Sequence, residues 1–72
     1  MSDGLERAAE LFDAAAEELD RAAAHCRTAA GHFRANDVPR AGAHAWAALG
    51  HGRTAEASLD DQAQAHARTS HP

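Results

Sequence analysis

The chain has 72 residues, a formal charge of −4 and one cysteine, Cys26. That length admits one small domain, the lone cysteine excludes an intrachain disulfide, and the acidic balance argues against general nucleic-acid binding, which needs a basic face to neutralise phosphates. No apolar run approaches the ~20 residues of a membrane span and the acidic start does not resemble a signal peptide, so a cytoplasmic chain with no membrane partner is expected.

Much of the 44% hydrophobic content is alanine, which contributes little area per residue. A monomer is therefore expected to be marginal, with self-association or a ligand supplying the missing stability. All seven basic residues are arginine, a bias that a GC-rich bacterial genome produces.

In chain order, Ser2 or Asp3 is placed to cap a first helix starting near Gly4, and Asp3 with Glu6 has the spacing of a capping box. Leu5, Phe12, Leu19, Cys26 and Phe33 then recur every seven residues, separated by the alanine doublets Ala8-Ala9, Ala15-Ala16, Ala22-Ala23 and Ala29-Ala30. This spacing predicts a helix over about 4–35 whose buried seam is made of the large residues and the alanines beside them. Glu6, Glu10, Asp13, Glu17 and Glu18 read as its solvated side.

Ala35-Asn36-Asp37-Val38-Pro39 interrupts the pattern. Asparagine tolerates the left-handed conformation that ends a helix, aspartate caps the next one, and proline fits a first turn. A reversal over 36–38 and a second helix over about 39–69 follow, with Ala41, Ala45, Ala48, Leu49, Ala55 and Leu59 among its periodic positions. Gly42, Gly50 and Gly52 each cost a helix interior about 1 kcal/mol relative to alanine. They predict either a close backbone approach, the favoured reading, or a break near Gly50-Gly52 that makes three helices. The tail Ser70-His71-Pro72 is expected to fray.

The fold expected is all-α: one domain over 1–72, an antiparallel two-helix hairpin that dimerises into a four-helix bundle. Phe33 is layered against Ala41 and Cys26 against Ala48, so that large meets small.

The residue before each large one flanks this seam, which places His25 and His32 on the first helix and His44 and His51 on the second. Antiparallel pairing sets His32 opposite His44 and His25 opposite His51. Neutral imidazoles ligate zinc, copper or nickel and protonated ones repel, so these four residues are the candidate ligands of a divalent transition metal or the parts of a pH-responsive bundle. Histidines seven apart on one helix lie ~10.5 Å apart, so each layer offers two ligands where a closed zinc site wants about four. Cys26 is read as a small core hydrophobe. HExxH, CxxC and haem-attachment motifs are absent from the sequence, and nothing in it builds an oxyanion hole, so no enzyme and no organic cofactor are expected.

Trp46, Leu49 and Leu11 fall on or just beside the two seams and form apolar shoulders that a hairpin alone leaves uncovered. They are the expected partner-binding residues. Arg27, Arg34, Arg40 and Arg53 gather toward the turn, and Asp3 to Asp20 with Asp60-Asp61 toward the open end. Two hairpins laid antiparallel match opposite charges in a twofold dimer. The alternative is that the arginine-rich end docks on an acidic, larger protein. The leading expectation is a non-enzymatic interaction or accessory module; the alternative is the histidine-lined metal-binding or pH-responsive bundle.

Phe33, Gly42 and Trp46 resemble the aromatic, small, aromatic spacing across the turn of a tetratricopeptide repeat, over His32 to Leu49. The repeat's tryptophan, leucine-glycine and terminal proline positions are unmatched and the first helix is too long for it, so its function is not carried over. The small secreted WxG hairpins are similar in architecture, without a Trp-x-Gly at this turn.

Overall fold

A computed structural model describes the backbone of residues 3–69 and the side chains of 4–68. The expected caps at Ser2 and Asp3 and the fraying of Ser70-His71-Pro72 lie outside the described residues or side chains. Helix α1 runs over Asp3–Arg34 and helix α2 over Val38–Thr69, and the two pack against each other as a hairpin. Among the described residues there is no strand.

The turn is built from local hydrogen bonds. Asn36 takes a φ of 62°, the left-handed conformation that asparagine accepts more readily than most residues. This curls the chain so that the Asn36 amide donates to the Phe33 carbonyl at 3.0 Å and the Asp37 amide to the His32 carbonyl at 2.8 Å. Both bonds satisfy carbonyls that the end of α1 would leave open, the pattern of a Schellman cap. Asp37 then serves the next helix, its Oδ1 accepting from the Arg40 amide at 3.3 Å. That is the N-cap bond, and Pro39 occupies a first-turn position where no amide is required.

The buried line differs from the expected one. On α1 it follows alternating steps of three and four residues from Ala8 through Leu11, Ala15 and Glu18 to His32; on α2 it follows the same steps from Ala41 through His44 and Ala48 to Ala65. Every position on these lines is buried or half-buried. Leu5, Phe12, Leu19, Cys26 and Phe33, expected in the seam, lie outside it, and the four large ones are at least half exposed. The expected pairings of Phe33 with Ala41 and Cys26 with Ala48 as core layers are therefore corrected. Both lines of α1 alternate a larger side chain with an alanine, and the line used is the one whose larger members, Glu18, His25 and His32, meet His44 and His51 across the seam. Each alanine doublet divides accordingly: the first alanine faces α2, and the second, turned by about 100°, joins the outer stripe.

The glycine expectations are also corrected. Helix α2 is unbroken through Gly50-His51-Gly52, and a Cβ added at Gly42, Gly50 or Gly52 would meet no atom within 4 Å. The residue on the seam in this stretch is His51; the glycines beside it face open space.

The hairpin buries little. Its buried apolar residues are Leu11, Ala15, Ala29, Ala41, Ala48 and Ala55, and among the described residues no large side chain is fully buried. The molecule is a plank of 53 × 23 × 13 Å.

Candidate functional site

The seam carries its chemistry at every other position. Because each side chain of an antiparallel seam nestles between two from the facing helix, His44 meets both His25 and His32, and His25 meets both His44 and His51. The His32 and His44 rings stack with centroids 5.5 Å apart, and those of His25 and His51 stack at 5.4 Å. Both opposed pairs expected from the sequence are thus brought together. The diagonal contact between His25 and His44 was not foreseen: their Nδ1 atoms lie 2.9 Å apart.

The file ends on Glu18, which occupies the same heptad position as His25 and His32. His51 donates from Nδ1 to Glu18 Oε2 at 2.6 Å, the ring being the donor because an ionised carboxylate only accepts. Arg21 holds the other oxygen, Nη1 to Oε1, at 2.9 Å. Glu18 is held below the usual carboxylate range, chiefly by the hydrogen bond from His51; partial loss of water opposes this, and Arg21 beside it adds to the lowering.

The order along the seam is therefore His32, His44, His25, His51, Glu18. Stacked rings pass no proton, so the file is not a continuous wire. Its two hydrogen-bonded links differ in kind. His51 meets a carboxylate that only accepts, whereas His25 and His44 share one proton between two nitrogens, and a second Nδ1 proton leaves the pair without an acceptor. Among the described residues no three histidine, cysteine, aspartate or glutamate side chains converge closely enough to hold a metal ion. His25, His32, His44 and His51 are strung along the seam, and Cys26 lies on the surface.

A second feature is the bare apolar stripe of α1. Cys26 lines a shallow groove with Ala45, Leu49 and Gly52 of α2, so the stripe and this side of α2 form one face of the plank. Leu49 and Leu59 extend it. Of the expected partner-binding residues, Trp46 is 76% exposed on the outer side of α2 and Leu49 is exposed beside the groove. Leu11 is corrected: it is buried in the seam, so it holds the hairpin together and is not available to a partner. Phe12, next to it, is the exposed residue. The signal for this was present in the doublets, which offer two alanine lines one residue apart.

Among the described residues no helix is long and apolar enough to cross a membrane. The chain matches no protein-family model, and comparisons with curated proteins and with solved structures return no match.

Proposed function

We propose that this chain is a non-enzymatic helical-hairpin interaction module of the cytoplasm that self-associates and acts as a small adaptor or accessory subunit. One observation carries the reading: α1 has two heptad lines, and only one is used within the chain. The line from Ala8 to His32 packs on α2. The line of Leu5, Phe12, Leu19, Cys26 and Phe33, with Ala9, Ala16, Ala23 and Ala30 between them, has the same three-and-four spacing; its five larger members are exposed, Ala9 and Ala16 with them, and Ala23 and Ala30 are half-buried. A helix with two such lines is one that packs on two neighbours. The scarcity of buried apolar area in a single hairpin supports the same reading. Leu49 belongs to this face, and Trp46, exposed on the outer side of α2, then serves as a contact for a larger protein.

Sedimentation velocity over a range of concentrations tests this. A dimer, with a melting temperature that rises with concentration, is the expected result; a stable monomer at micromolar concentration removes the proposal.

The His25–His44 contact favours a second reading, a pH-responsive bundle whose seam loosens when both rings are protonated. A melting temperature that is indifferent to mild acidification would end it.

A further inference from the structure

The geometry points to one specific occupant of the bare face: a second copy of this chain, laid with its α1 antiparallel to the first along the Leu5 to Phe33 stripe. This rests on the self-association reading and adds its direction and register. The first support is size. The broad side of the hairpin on which the stripe lies extends 53 × 23 Å, more than the ~800 Å² per partner that stable interfaces bury.

The second support is charge. Immediately beside the stripe, on the side away from α2, heptad spacing sets a column of Glu6, Asp13, Asp20, Arg27 and Arg34. All five are exposed, and none forms an ion pair among the described residues, although Arg7 with Glu10 and Arg21 with Glu18 pair elsewhere on the same helix. The column runs from acid to base along the chain. In a parallel copy the two columns lie on opposite flanks of the contact and do not meet. An antiparallel copy sets Arg27 between Asp13 and Asp20 of the other molecule, and Arg34 between its Glu6 and Asp13.

The third support is shape. With the twofold axis crossing α1 near Arg21, Leu19 is level with Ala23 of the second copy, Phe12 with its Ala30, Phe33 with its Ala9 and Cys26 with its Ala16. Each of these four larger side chains is met by a methyl group, while Leu5 falls level with Asp37 in the other copy's turn. The two α2 helices fall side by side beneath, which closes a four-helix bundle.

Charge reversal and thiol crosslinking test the arrangement on the full chain, with helicity checked by circular dichroism. Asp13→Arg with Asp20→Arg, or Arg27→Asp with Arg34→Asp, is expected to weaken dimerisation about tenfold or more at low salt, and the four changes together restore it. Ala16→Cys is expected to give a crosslinked dimer through Cys26, while the wild type, with its two Cys26 thiols well separated across the axis, gives none. Wild-type crosslinking through Cys26 alone marks a parallel pair and overturns the proposal. A dimer that is indifferent to the charge reversals, or that fails to crosslink through Ala16→Cys, overturns the arrangement and leaves self-association standing. A wild-type monomer removes both.

Discussion

His25 and His44 face each other across the seam with their Nδ1 atoms 2.9 Å apart, close enough that one proton bonds both rings and two separate them. The neighbours decide what happens on acidification. His32 stacks on His44, and His51 stacks on His25, so a charge on either central ring meets another imidazole before it meets an anion. Glu18 lies one ring further along and is already engaged by His51 and Arg21. Protonation of both central rings therefore costs a hydrogen bond and adds repulsion within a half-buried line. His44→Leu keeps the position filled and removes the conflict. Thermal melts at mildly alkaline and mildly acidic pH are expected to show a large fall for the wild type and a smaller one for His44→Leu.

Glu18 also loses its contribution on acidification, in the lower, carboxylate range of pH. Its carboxyl is held below the usual range in the folded chain, first by the hydrogen bond from His51. A carboxyl so lowered stabilises the fold at any pH above its unfolded value, and the contribution is lost as pH falls through the folded one. Glu18→Gln lacks that contribution throughout. The wild type is therefore expected to be the more stable at neutral pH, with the difference closing as pH drops through the carboxylate range. Urea midpoints of the two proteins across that range read it directly.

Gly50 lies on an exposed side of α2, and a Cβ there meets nothing within 4 Å. It therefore carries the full propensity cost of a mid-helix glycine with no packing gain to offset it. Gly50→Ala is expected to stabilise the hairpin by about 1 kcal/mol, which for a chain of this size raises the melting temperature by roughly 4 to 8 °C. An unchanged or lower midpoint would mean that the glycine serves a contact absent from the single hairpin.

The residues that were legible in the sequence are those whose local chemistry admits one conformation. Asn36, Asp37 and Pro39 specify a helix end, a cap and a first turn by short-range rules, and the hairpin follows from them. The histidine pairs were legible too, because antiparallel register is fixed by a short turn. The phase of the seam was not. Ala8 and Ala9 repeat with the same period, and hydrophobicity ranks the stripe containing Phe12 above the line containing His25. Size does not separate the two lines, since each offers one larger side chain and one alanine per heptad; what marks the line used is that Glu18, His25 and His32 find His44 and His51 across the seam. A single-sequence reading that assigns the most hydrophobic line to the facing helix misses this.

Leu11 and Phe12 put that distinction to a direct test, since they are neighbours with opposite surroundings. Leu11 is buried between the helices, and Phe12 is half exposed on the stripe. Leu11→Ala removes most of the largest buried apolar side chain in the seam and is expected to destabilise the hairpin by about 2 kcal/mol, the lower end for a leucine truncation because the site is thin. Its melting temperature falls at every protein concentration. Phe12→Ala leaves the seam intact, so its effect is expected to be confined to association: the concentration dependence of melting weakens, while the dilute limit stays near that of the wild type. If Phe12→Ala instead lowers stability at the dilute limit as much as Leu11→Ala does, the phenylalanine is part of the hairpin's own core, and the bare face on which self-association depends does not exist.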